Sequence, residues 1–183
     1  MRILVACEFS GVVRDAFIRK GHEAVSCDLV DTEIPGPHII GDVRKVLNFG
    51  WDMLIGFPPC TDLAVSGARW FKEKGVESRW KAIDFVSKLM FNDSINKICI
   101  ENPVGKISTM IRKPDQIIQP WQFGHSVNKK TCLWLKNLPK LVPTKVMEYR
   151  FDKIHRMPPS KTRSQDRSRT FIGIANAMAE QWG

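Results

Sequence analysis

The first 28 residues constrain the fold more than any other stretch. Residues 2–6 (Arg-Ile-Leu-Val-Ala) form a short unbroken apolar run, the pattern of a strand buried on both faces. The chain then turns through Phe9-Ser10-Gly11, and residues 12–20 carry helical spacing with Val13, Phe17 and Ile18 available to a buried face. Gly21 stands where a helix needs a left-handed closing residue, and a second strand over 23–27 ends at Asp28. Strand, glycine turn, helix, strand and acid in that order predict an α/β domain. The unit also has a use. Gly11 lets a ligand approach the backbone, the helix N-terminus offers N–H groups, and Asp28 can take both hydroxyls of a ribose. Val13 stands where a dinucleotide fingerprint has its next glycine, so the reading is a nucleotide-type cofactor of open identity.

The same alternation continues. Residues 39–43 read as a short third strand ending in Asp42, a candidate acceptor for an adenine amino group, with a solvent-facing loop aspartate as the alternative. Residues 52–55 read as a fourth strand, stopped by Gly56 and followed by Pro58-Pro59-Cys60. Each proline fixes its own φ, and Pro59 also restricts Pro58, so the backbone leaving this strand is stiff. It carries a thiol to the place where open α/β sheets bind ligands. Residues 61–75 predict a polar lid, and 77–91 a helix whose Trp80, Ile83, Val86, Leu89 and Met90 form a core stripe. A fifth strand over 96–100 leads into Glu101-Asn102-Pro103, which puts Cys60 and Glu101 at equivalent ends of neighbouring parallel strands. The pattern weakens from 105 to 123. It returns as a strand over 131–135 and a helix over 170–182 that buries Phe171, Ile174, Ala175, Met178 and Trp182.

A chain of 183 residues fits a single domain, and no apolar run approaches the roughly 20 residues of a membrane span. The beginning reads as a strand rather than a signal peptide. Five cysteines without paired spacing predict reduced thiols in a cytoplasmic setting, with neither a metal site nor disulfides. Residues 1–100 hold 13 basic and 13 acidic side chains, whereas 101–183 hold 15 and 6, so the second half carries the whole net charge of +9. A neutral half joined to a basic half predicts a polyanion-facing surface. Its basic groups include Lys129, Lys130, Arg156, Lys161, Arg163, Arg167 and Arg169. Residues 139–169 combine prolines and cations with few apolar side chains, which predicts a loop that orders on a phosphate backbone.

With Phe9-Ser10-Gly11, Pro58-Pro59-Cys60, Glu101-Asn102-Pro103 and Asn176 in this order, the chain resembles the DNA cytosine C5 methyltransferases, and among them compact phage-type members. The resemblance spans residues 1–135 and about 170–183. It implies a Rossmann-like α/β methyltransferase fold with a mostly parallel sheet and helices on both faces. It also implies S-adenosylmethionine as cofactor, with S-adenosylhomocysteine as product. On these positions it makes Cys60 the nucleophile and Glu101 the group that contacts the target base, with Phe9, Ser10, Gly11, Asp28, Asp42, Pro58 and Asn176 on the cofactor side. The partner implied is nucleic acid, DNA first, in a bacterial or phage-infected cell. The chain departs from the pattern at Thr61, at Pro103, around Asn128 and at Ala175. Only a reduced recognition segment, about 137–169, stands where relatives carry a sizeable region. RNA, a free cytosine nucleotide, a protein partner that presents the target, and an inactive nucleic-acid-binding relative therefore stay open. A nicotinamide-dependent oxidoreductase would rest on the first glycine turn and Asp28 alone.

Overall fold

The computed structural model describes residues 1–64, 71–152 and 163–183, with side chains from 76 in the second stretch and from 165 in the third. Seven strands form one sheet: β1 (Arg2–Ala6), β2 (Glu23–Asp28), β3 (His38–Ile40), β4 (Met53–Gly56), β5 (Lys97–Pro103), β6 (Gln116–Ile118) and β7 (Thr131–Lys136). Their spatial order is β3-β2-β1-β4-β5-β7-β6. The first five run parallel, while β7 is antiparallel to both β5 and β6. Among the described residues five helices accompany them: α1 (Val12–Arg19), α2 (Phe71–Met90), α3 (Ile107–Met110), α4 (Arg163–Ser168) and α5 (Ile172–Trp182).

The period of two along buried strands sorts the core into two layers. Ile3, Val5, Met53 and Ile55 pack with Phe17 of α1 and Met178 and Trp182 of α5. Leu4, Leu54, Ile98 and Ile100 face the other way, against Val86 and Leu89 of α2. Strand order reverses between β1 and β4, which opens a crevice at the carboxyl ends of those strands.

Several expectations are corrected. Ile18 is 38% exposed, and the fully buried Arg14 takes its place on the inner face of α1. The Arg14 guanidinium donates to Ser26 Oγ and Thr32 Oγ1 at 3.2 Å each and to the Ile34 carbonyl at 2.7 Å, pinning the loop between β2 and β3. Trp80 is 58% exposed rather than core. A helix of 20 residues is about 30 Å long, whereas β4 and β5 have 4 and 7 residues, so helical period alone does not decide which positions of α2 are covered. The strand predicted to stop before Glu101 runs on to Pro103, because β7 pairs with it two to three residues beyond the end of β4. β6 lies in the stretch where the sequence pattern fades. Residues 139–152 are tied down rather than loose: Leu141 is buried and its backbone binds the Gln116 side chain. The expected lid falls partly on 65–70, outside the described residues, and its last five positions belong to α2. Among the described residues no helix is long and apolar enough to cross a membrane, and no cluster of side chains could hold a metal.

Candidate active site

Register puts the two chemistry-bearing turns side by side. β4 and β5 are neighbours with Gly56 opposite Ile100, so the chain leaves β4 towards Cys60 beside Glu101. Asn102 is 1% exposed, and its Nδ2 donates to the Pro58 carbonyl at 2.7 Å, stitching the Pro-Pro-Cys turn to β5. Beyond that point the Cys60 carbonyl accepts from the N–H groups of Leu63 and Ala64 at 3.0 and 2.8 Å. The N–H of Lys106 in turn donates to the Leu63 carbonyl at 2.7 Å. The two loops run so close that a Cβ on Gly105 would lie 2.0 Å from the Leu63 oxygen, which only glycine avoids. Neither Asn102 nor Gly105 was singled out from sequence for these roles, since both partners lie far away along the chain.

Glu101 lines a small pocket with Phe57, Lys129, Thr131, Phe171 and Ile174. Burial raises its carboxyl above the ordinary range, while the Lys129 charge and a hydrogen bond with Thr131 pull it back only in part. Lys129, expected among the phosphate-facing cations, turns to this pocket. Its Nζ donates to the Arg167 carbonyl at 2.8 Å and stands 5.9 Å from the Phe171 ring centre. Cys60 is an exposed residue whose thiol is nonetheless raised, first by the protein crowding around the sulfur and then by Glu101. Lys129 and Arg167 oppose that shift without reversing it. Desolvation outweighs both cations.

The residues expected on the cofactor side divide. Phe9 stays half-buried, and Asp28 ends β2 half-buried beside Cys7, whose thiol is pushed up to about 12 by burial and by Asp28. Ser10 is buried and donates to Glu8 at 2.9 Å. Glu8, which sequence reasoning missed, accepts from the N–H groups of Val13 at 2.8 Å and Arg14 at 3.4 Å, so the N-terminus of α1 is already capped. An acid just before a helical run is the signal that could have found it. Gly11 has φ +76°, and the group that crowds it is Arg14's own guanidinium. Asp42 caps the short turn Val43–Lys45 and is held by Arg44, which brings its carboxyl down to about 2. Pro58 is buried at the stitched turn. Asn176 is exposed and accepts from Arg19 in the last turn of α1 at 3.1 Å, at the opposite end of that helix from Gly11.

Among the basic residues, Lys130 is exposed and Arg167 half-buried. Arg169 reaches Glu33 at 2.7 Å, also pairs with Asp166, and lies 5.9 Å from the centre of the Phe9 ring. Arg163 opens α4 with its side chain outside the described set, and Arg156 and Lys161 lie outside the described residues.

The fold is similar to that of known methyltransferases. A protein described as a DNA modification methyltransferase encoded within a prophage of E. coli matches with a TM-score of 0.53 at 13% identity, over 87% of this chain and 55% of its own. The Entamoeba histolytica methyltransferase EhMeth matches with a TM-score of 0.53 at 13% identity, over 80% of this chain and 57% of its own. The chain thus spans little more than half the length of either. No protein-family model and no curated protein matches it.

Proposed function

We propose that this chain transfers a methyl group to carbon 5 of cytosine in nucleic acid, DNA first, with Cys60 as nucleophile and Glu101 as the acid that holds the base. The stitched pair of turns carries this reading: a thiol and a raised carboxyl kept beside each other by the Asn102–Pro58 hydrogen bond of 2.7 Å. The β1/β4 crevice suits S-adenosylmethionine, since Phe9 offers a ring face and Asp28 a carboxylate for ribose hydroxyls, near the Pro58 turn. That cofactor would supply the methyl group as an electrophile.

Cytosine carbon 5 is too weak a nucleophile by itself. The Cys60 thiolate adds to carbon 6, forming a C–S bond and pushing an electron pair towards carbon 5. Glu101, protonated in its pocket, gives a proton towards N3 and offsets the charge that builds on the ring. A neutral Glu101 removes the repulsion it adds to the thiolate it faces, which is the second cause of the raised thiol; desolvation, the first, remains. Once carbon 5 is methylated, a base takes its proton, and the electron pair of that C–H bond restores the C5–C6 double bond. The C–S bond breaks to release Cys60 as thiolate, and N3 returns its proton to Glu101. A duplex substrate would have to present its cytosine flipped out of the stack. Lys129 steadies charge between the two groups rather than holding a phosphate.

The test is methyl transfer from labelled S-adenosylmethionine to a panel of duplex DNA, single-stranded DNA, RNA and dCMP, with Cys60→Ala alongside. Transfer to cytosine by the native chain and none by the variant is the expected outcome. Unchanged transfer by Cys60→Ala would end the nucleophile assignment. The panel also decides between duplex DNA and the alternative substrates.

A further inference from the structure

The stretch from 139 to 152 carries a surface that the proposed reaction does not use. It lies as a ribbon along residues 121–128. The N–H of Gly124 donates to the Lys145 carbonyl at 2.7 Å, that of Met147 to Trp121 at 2.8 Å, that of Phe151 to Ser126 at 3.1 Å and that of Asn128 to Phe151 at 3.0 Å. On this ordered support Tyr149 is 75% exposed and Phe151 60% exposed. Between them Arg150 lies over the Trp121 ring, 3.6 Å from its centre. Lys145 and Lys130 are exposed alongside, and Asp152 is engaged by the Asn128 amide at 3.0 Å. The ribbon leads to the pocket: Asn128, paired with Phe151, directly precedes Lys129, which lines the pocket with Glu101.

Aromatic rings held in water on a rigid support mark a binding surface. Rings interleaved with cations fit nucleobases on the rings and phosphates on the cations. Ring faces are free to stack only where bases are unstacked, and a duplex buries those faces in its own helix. We propose that the 121–128 and 139–152 ribbon is a stacking platform for single-stranded nucleic acid, which Tyr149 and Phe151 grip next to the Glu101 pocket. The site then takes its cytosine from an unpaired strand rather than from a duplex. This names the substrate class of the proposed methyl transfer and rests on that reading for the reaction, though not for the binding.

The experiment measures binding of a labelled cytosine-containing oligonucleotide, single-stranded and in duplex, to the full chain, to Tyr149→Ala/Phe151→Ala and to Tyr149→Trp. The single strand is expected to bind at least about tenfold tighter than the duplex, and the double alanine variant to lose about tenfold or more of that affinity. Tyr149→Trp keeps a ring and should keep the affinity. Because Tyr149 is the chain's one tyrosine, iodination of the unmutated protein reads the same contact without a variant, and the single strand should protect it. Equal or stronger duplex binding, an unaffected alanine variant, or a loss of self-association in place of a loss of oligonucleotide binding would each overturn the platform. If the platform fails while Cys60→Ala still abolishes transfer, the catalytic reading stands. If the platform holds and the native chain transfers no methyl group to any substrate, the catalytic reading falls alone.

Discussion

The two rims of the sheet are built differently. At the β4–β5 rim, polar groups are buried with demands only half met: Glu101 is raised by burial, and Asn102 Oδ1 is buried without a hydrogen-bond partner. At the β1–β2 rim, several acidic groups are already engaged by the chain: Glu8 caps α1, Arg44 holds Asp42, and Arg169 clasps Glu33 over Phe9. The first rim keeps polar groups buried at a cost in desolvation. The second rests in a self-satisfied state, and a ligand there must exchange internal partners for its own.

The strongest way to break this contrast is Cys60→Ala. Because Cys60 is exposed, stability should change by less than about 0.5 kcal/mol. Methyl transfer should fall by at least about a thousandfold in a radiolabel assay. Native rates should still be climbing at pH 9, since burial raises the thiol above its ordinary value of 9.0 and its thiolate fraction keeps growing there.

Glu101→Gln comes next, with a loss of about a hundredfold to ten-thousandfold. It also sharpens the contrast through stability. A carboxyl raised in the folded state binds more protons there than in the unfolded chain, so native stability falls as pH climbs from the ordinary carboxylate range through the raised value. Urea melts of Glu101→Gln should lack that part of the pH dependence, and equal slopes in both proteins would remove the claim that Glu101 is strained by burial.

Asn102→Ala leaves the buried Pro58 carbonyl without its donor. It should cost about 1–3 kcal/mol in thermal or denaturant unfolding and lower kcat by roughly tenfold to a hundredfold through misplacement of the Cys60 turn. The smallest effect belongs to the other rim. Arg169→Ala opens the clasp over Phe9, and because that pair is over a third exposed it should shift stability by under about 1 kcal/mol. Affinity for S-adenosylmethionine, read by calorimetry, should change only a few-fold, and a loss as large as that of Asn102→Ala in catalysis would erase the difference between the rims.

Much of this was legible along the chain. The apolar runs at 2–6 and 52–55, the turn at Gly21 and the stripe Ile83, Val86, Leu89 and Met90 are local signals, and local signals survive into the fold. The misses have a common cause. Ile18 and Trp80 occupy positions that helical period allows to be buried, but burial needs a partner that period alone does not supply, and both are exposed. Arg14 reads as a surface cation until the carbonyl of Ile34 and the hydroxyls of Ser26 and Thr32 surround it. β6, at three residues, carries too few side chains for a period to show.

What the sequence determined alone is the alternation of strands and helices and the order of the turns that carry Gly11, Cys60 and Glu101. Periodicity, glycine and proline act over a few residues and need no partner. What only the tertiary structure decided is which polar groups are already spent and which are not. The Asn102–Pro58 bond joins residues 44 apart, the Lys129–Arg167 bond joins residues 38 apart, and the Arg169–Glu33 pair spans 136. Each exists because strand register and the return of the C-terminal segment bring those atoms within about 3 Å, a distance over which hydrogen bonds form and no sequence pattern extends.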